Sequence, residues 1–230
     1  MRTAILGALV LTVTACSAPS APAASAPEPT PPQIRVAVKK AASLRTKRVP
    51  YRGKGTFAVV PGKQAPRKGR GQVVRYLVEV ERGLPFKGQD FARQVHDTLN
   101  DPRGWARFQR VDHGSVQVRV ALTSPHTTDR LCLPLRTGGE LSCWNGSRSV
   151  INAVRWAKGV PQYHGRLAAY RDYVISHEVG HGLGHHHAYC PGRGRRAPVM
   201  VQQSKSLESC RPNPWPFPLN GSGPVQAAER

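Results

Sequence analysis

Two hydrophobic rhythms run through the chain, one of period two and one near 3.6. Residues 73–80 alternate so that Val74, Tyr76, Val78 and Val80 share one side of a predicted strand. Residues 116–122 repeat the pattern with Val116, Val118 and Val120, and further strands are predicted at 56–60 and 105–111. Residues 149–153 read as a short strand leading into Trp156. Between these lies a helical spacing, with Phe91, Val95 and Leu99 four apart over residues 88–99, and the helix stops before Asp101-Pro102. A second helix is predicted to start near Gly165 or Arg166, because the run 167–176 holds neither Gly nor Pro, and to end at Gly184. Its stripe of Ile175, Val179 and Leu183 faces the core. Sheet, helix, sheet, helix and an irregular C-terminal part make an α+β fold with a cleft across its middle.

The polar side of that second helix carries the chemistry. His177-Glu178-Val179-Gly180-His181-Gly182-Leu183-Gly184-His185-His186-His187 fits H-E-x-x-H-x-x-G-x-x-H at every fixed place. One helical turn separates His177 from His181, so their Cβ atoms stand about 6 Å apart on the same side. Gly184 can enter the left-handed region without penalty, which lets the chain turn and bring His187 back as a third ligand. Three imidazoles suit a Zn2+ site with one position left open. Glu178 lies about 100° around the helix from His177, placed as a general base for a water that the metal acidifies. That set of groups suits peptide-bond hydrolysis. Gly180 and Gly182 each cost about 1 kcal/mol relative to Ala inside a helix, so a packing reason is expected for both. Consecutive His185, His186 and His187 leave the third ligand open in principle; the motif register favours His187, and His185 and His186 receive no role.

With these residues the sequence resembles the metzincin clan of zinc endopeptidases, named for the extended zinc motif and for a methionine turn beneath the metal. The resemblance implies a metzincin-like fold and makes Met200, thirteen residues after His187, the turn methionine. Several metzincins have a tyrosine just after that methionine, whereas this chain reads Met200-Val201-Gln202-Gln203, so the oxyanion stabiliser is not assigned. Residues 76–215 are also similar to a family of exported bacterial proteins that carry the motif and have no assigned substrate. The matching segments are Asp101-Pro102-Arg103-Gly104-Trp105, Thr128-Asp129-Arg130-Leu131-Cys132, Arg136-Thr137-Gly138-Gly139-Glu140-Leu141-Ser142-Cys143 and Cys210-Arg211-Pro212-Asn213-Pro214-Trp215.

The N-terminal region sets the expected compartment. Arg2 precedes an apolar run over residues 4–15, too short for a membrane span and suited to a signal-peptide core, so 1–15 is read as a signal peptide. Val13-Thr14-Ala15-Cys16 resembles a bacterial lipobox, which makes Cys16 a lipidation site and the protein a membrane-anchored lipoprotein; secretion with cleavage near 23–26 is the competing reading. Outside the cell, Cys132, Cys143, Cys190 and Cys210 make two disulfides. Of three connectivities the favoured one joins Cys132 to Cys143 across a Gly138-Gly139 hairpin turn, and Cys190 to Cys210 around Met200.

Residues 16–50 are read as a tether, rich first in Pro and Ala and then in basic residues. From 35 to 70 there are twelve Lys or Arg and no acid, more than half of the net charge of +21. Such a run is expected to lie against an anionic membrane or cell-wall surface. Nucleic-acid binding is not expected, since export and the absence of a nucleic-acid motif argue against it. Residues 51–218 form the metzincin-like catalytic domain, expected to be monomeric, with Pro212, Pro214, Pro216 and Pro218 draped over its surface and a disordered tail at 219–230. The function expected is an exported, anchored zinc endopeptidase acting on proteins or peptides. The alternative is an inactive zinc-containing binding or adhesion lipoprotein of the envelope.

Overall fold

The computed structural model describes residues 48–218. The signal peptide, Cys16, nearly all of the tether and the tail at 219–230 lie outside the described residues. The part of the basic run from residue 48 onward belongs to the folded body rather than to a spacer. Val60 is buried, and Arg67 donates from Nε to the Ala106 carbonyl at 3.3 Å.

A six-stranded mixed sheet organises the fold. Its strands are β1 (Phe57–Val59), β2 (Val73–Glu81), β3 (Arg107–Arg110), β4 (Val118–Thr123), β5 (Cys143–Trp144) and β6 (Ser149–Asn152), in the order β1-β2-β4-β6-β5. β2, β4 and β6 are mutually parallel, β3 also pairs parallel with β2, and β1 and β5 run antiparallel to their neighbours. The helices are α1 (Gly88–Leu99), α2 (Pro125–Leu131), α3 (Ala153–Lys158) and α4 (Leu167–Gly182), with a 3-10 turn at Pro161–Tyr163. The architecture is thus α+β. No helix among the described residues is long and apolar enough to cross a membrane.

The alternating face of β2 joins Phe91, Val95 and Leu99 of α1 and Val174, Ile175 and Val179 of α4 in one core. Burying each such aliphatic or aromatic side chain contributes roughly 1.5–3 kcal/mol. The other face of β2 is covered as well, which the alternation alone did not indicate. Glu79 there is 4% exposed and keeps its charge paired, with Arg119 at 3.0 Å and Arg148 at 2.7 Å. Glu81 accepts from Ser124 N at 2.6 Å, Thr127 Oγ1 at 2.7 Å and Gly55 N at 2.9 Å, fastening β2 to the start of α2.

Helix α1 spans the predicted residues. Asn100 closes it and ties it to β3, since its Nδ2 donates to the His96 carbonyl at 3.2 Å and the Phe108 carbonyl at 3.1 Å. The two short helices were not predicted, because neither is long enough to show a helical period. α2 begins at a Ser124 cap followed by Pro125, and α3 starts at Ala153, the last residue of the predicted strand, and carries Trp156. Asn152 stops β6 by accepting from Val154 N at 2.9 Å.

Both favoured disulfides are present, with Cα separations of 6.0 Å for Cys132–Cys143 and 5.8 Å for Cys190–Cys210. The route between the first pair differs from expectation. Cys132 caps α2 and Cys143 starts β5, and Gly138 and Gly139 lie at φ 62° and 68° in an irregular loop rather than in a hairpin turn. The Asp129 carboxylate organises that loop, accepting from Gly139 N at 2.7 Å and from Thr137 Oγ1. The C-terminal prolines are all partly exposed, while Asn213 and Trp215 between them are buried and anchor the segment.

Candidate metal centre

Helix α4 carries His177 and His181 on successive turns. Two backbone hydrogen bonds close it: His185 N donates to the Gly180 carbonyl at 3.0 Å and Gly184 N to the His181 carbonyl at 3.0 Å, with Gly184 at φ 92°. This is the Schellman pattern, in which the residue past the cap takes the left-handed conformation. Helical geometry therefore ends at Gly182, two residues before the sequence expectation, and the glycine bend turns the chain back so that His187 reaches the helix.

The three rings converge. His177, His181 and His187 each offer a nitrogen, all within 4.8 Å of one another. Nε2 of His181 and Nε2 of His187 stand 3.1 Å apart. His177 donates from Nδ1 to the Val199 carbonyl at 2.9 Å, and His181 from Nδ1 to the His185 carbonyl at 2.8 Å. A carbonyl oxygen can only accept, so both Nδ1 atoms hold the proton and both Nε2 atoms present lone pairs. The facing Nε2 atoms of His181 and His187 stand close enough to share either a proton donated by His187 or a cation bound between them. Tetrahedral ligation with nitrogens about 2.0–2.1 Å from the metal puts ligand nitrogens about 3.3 Å apart, close to the 3.1 Å between His181 and His187, and the whole set lies within 4.8 Å. The donor set fits a metal ion. Burial pushes the His177 imidazole down to about 3, and burial lowers His181 and His187 too, the latter helped by the positive fields of His181 and Lys205. The rings are neutral at neutral pH, the form that binds a cation.

Glu178 lies in the same cavity, 5% exposed, and burial raises its carboxyl to about 8. A cation in the triad counters that shift, since a nearby positive charge favours the carboxylate. The cavity measures about 220 Å³. Tyr173 forms part of its lining, but its hydroxyl donates to the Val201 carbonyl at 3.0 Å and serves to hold the floor.

Beneath the helix lies the Met200 turn, closed by Val201 N donating to the Pro198 carbonyl at 3.0 Å. Its Val199 carbonyl orients His177, and its Met200 carbonyl accepts from Ala188 N at 3.0 Å, beside His187. The expected packing reason for the helix glycines is present. A Cβ on Gly180 would meet Met200 Sδ at 2.7 Å, and one on Gly182 would meet the Trp144 ring at 3.1 Å. Trp105 lies against the back of the helix, donating from Nε1 to the Ser176 carbonyl at 2.8 Å and stacking on His185 at 4.0 Å between centroids. His185, given no role by the motif, thus supports His181 with its carbonyl and Trp105 with its ring. His186 is exposed.

Sequence reasoning missed the layer below. Gln203 is fully buried, its Oε1 accepting from Tyr163 Oη at 2.9 Å and Asn213 N at 3.0 Å, and its Nε2 donating to the Asn213 carbonyl at 2.7 Å. Asn213 in turn donates from Nδ2 to the Ala197 carbonyl at 2.9 Å. These two amides lock the Met200 turn to the C-terminal segment, and no local pattern distinguishes them from surface amides. The remaining histidines have structural settings. His96 bonds the Tyr76 hydroxyl, His113 bonds Asp112, His126 bonds Arg52, and His164 closes the 3-10 turn, its backbone N donating to the Pro161 carbonyl at 2.8 Å.

Residues 45–209 match the family described as protein of unknown function DUF3152, and the chain belongs to that family. No curated protein and no solved structure matches the chain.

Proposed function

We propose that this member of the DUF3152 family is a zinc-dependent endopeptidase with a metzincin-like site. The observation that supports this reading best is the convergence of three neutral imidazoles on one point, with the Glu178 carboxyl in the same cavity. His177, His181 and His187 would hold the ion, and zinc is the divalent ion best suited to three imidazoles with a position left open. Bound there, it supplies a Lewis acid that polarises a peptide carbonyl and acidifies a water.

The chain's own groups do the rest. Glu178, held out of bulk solvent, takes a proton from the attacking water and delivers it to the departing amine nitrogen. The carbonyls of Val199 and His185 keep the His177 and His181 rings in the tautomer that leaves Nε2 free, and the Met200 turn fixes the first of these. The cavity wall excludes water from the base, which strengthens each electrostatic contact inside. Export and an anchor at Cys16 complete the reading and rest on the sequence.

The test uses the full chain, loaded with one equivalent of zinc and given a diverse peptide mixture, beside Glu178→Gln. Equal zinc retention with cleavage lowered about a hundredfold or more in the variant is expected. Zinc retention by both proteins with cleavage by neither, across the whole mixture, assigns the domain to a binding role instead.

A further inference from the structure

Two chain segments of unlike chemistry wall the cavity over the triad. Leu135, Leu141 and Trp144 come from the stretch around the Cys132–Cys143 loop, while Gln202, Ser204 and Lys205 come from the stretch after the Met200 turn. Leu135 is 43% exposed and its near neighbour Leu133 is 68% exposed. Large aliphatic side chains left bare forgo the burial that folding ordinarily captures, and a cluster of them at a cavity marks a binding surface.

That loop is held firmly. The disulfide closes its ends, Asp129 takes Thr137 Oγ1 and the Gly139 N–H, and Asn152 Nδ2 donates to the Gly139 carbonyl at 3.0 Å. Arg155 adds a bond from Nε to the Glu140 carbonyl at 2.9 Å and an ion pair with the Glu140 carboxylate. Leucines presented on a fastened loop form a preorganised apolar surface, which a ligand covers without the entropic cost of ordering it.

Lys205 supplies the other signal. Its side chain is the one Lys or Arg lining the cavity, and among the described residues its ammonium has no acidic partner. An unpaired cation at a half-enclosed site attracts an anion and repels a cation.

We infer that the site selects peptides with a large apolar side chain beside the scissile bond, seated on Leu135, Leu141 and Trp144, and a carboxylate-bearing residue that faces Lys205. The inference rests on the peptidase reading for its scissile bond, while the two recognition surfaces stand independently of hydrolysis.

The experiment compares blocked peptides that carry Leu or Ser at one variable position and Glu or Lys at another, using the zinc-loaded full chain, Leu135→Ser, Lys205→Glu and the parent. Both substituted side chains are solvent-exposed, so folding is retained. The parent is expected to prefer Leu over Ser by about tenfold or more in kcat/KM, and Leu135→Ser to lose most of that preference through KM. Lys205→Glu is expected to reverse a Glu-over-Lys preference of about threefold. A second arm measures equilibrium binding of the same peptides to zinc-loaded Glu178→Gln. Preference in binding without cleavage by the parent upholds the recognition surfaces and removes the peptidase reading. Cleavage or binding indifferent to both positions overturns the inference while leaving hydrolysis standing, and an absence of binding by every peptide overturns it as well.

Discussion

Gly180 and Met200 pack against each other where the helix that carries His177 and His181 crosses the turn below it: a methyl group built on Gly180 would stand 2.7 Å from Met200 Sδ. Trp105 closes the same spot, 3.1 Å from that methyl position. The contact explains a glycine in the middle of a helix, where alanine is otherwise better by about 1 kcal/mol. Glycine here sets the distance at which the Val199 carbonyl reaches His177.

Gly180→Ala is therefore expected to destabilise the protein by about 1–2 kcal/mol, the overpacking penalty outweighing the gain in helix propensity. Met200→Ala removes the obstructing sulfur, so the double variant recovers part of the loss. Urea unfolding of the two single variants and the double variant measures this coupling. Additive effects would show that the two residues do not meet.

Metal binding should stabilise the fold by mass action, because the three imidazoles converge only in the native state. Free zinc at about a thousandfold over its dissociation constant contributes about 4 kcal/mol, and a chelator removes it. His187→Ala should abolish most of this increment, whereas the exposed His186→Ala should leave it intact. Thermal unfolding with zinc and with chelator separates the two variants, and equal responses would reassign the third ligand.

Asp172 gives a pH signature away from the metal. Its Oδ1 lies 2.8 Å from Thr98 Oγ1 and 3.0 Å from Gln94 Nε2, and burial, the leading cause, raises its carboxyl above the usual range. Thr98 has one proton for two acceptors, Asp172 and the Gln94 carbonyl at 2.8 Å, which suits a protonated Asp172. The sign follows from linkage: with the folded pKa above the unfolded one, this group's contribution is complete below the unfolded value near 4. It is lost as pH rises through the folded value. Asp172→Asn should raise stability at neutral pH, with the gain vanishing below about pH 4. Denaturant midpoints across that range decide, and a gain independent of pH would contradict the assignment.

The two disulfides should differ in what they protect. Removing Cys190–Cys210, whose partners have a sequence separation of 20, costs about 3 kcal/mol of unfolded-state restraint and loosens the segment bearing Met200. Removing Cys132–Cys143, with a separation of 11, should cost a similar amount and leave the floor of the site in place. Competition titration with a zinc chelator is expected to show weaker binding for the first double-serine variant and near-parental binding for the second.

Much of the site was legible because its information is local. A spacing of four on a helix, a glycine at the turn and a third histidine three residues later place His177, His181 and His187 together with little help from the rest of the chain. The alternation of 73–80 and the spacing of Phe91, Val95 and Leu99 gave β2 and α1 in the same way. The short helices α2 and α3 were hidden, because seven and six residues are too few to establish a period. Gln203 and Asn213 were hidden for another reason, since a buried amide and an exposed one look alike until their partners are known.

By itself, then, the sequence pointed to the three histidines that converge, the carboxyl beside them, the helix that carries His177, Glu178 and His181, and a favoured pairing of four cysteines, all consequences of short spacings. Only the tertiary structure decided that the Val199 and His185 carbonyls fix the ring tautomers, that Met200 and Trp105 demand glycine at 180, and that Leu135 and Lys205 share a cavity with the triad. Those relationships join residues distant along the chain, and their energies depend on distances that exist only after the sheet, the helix and the C-terminal segment have packed.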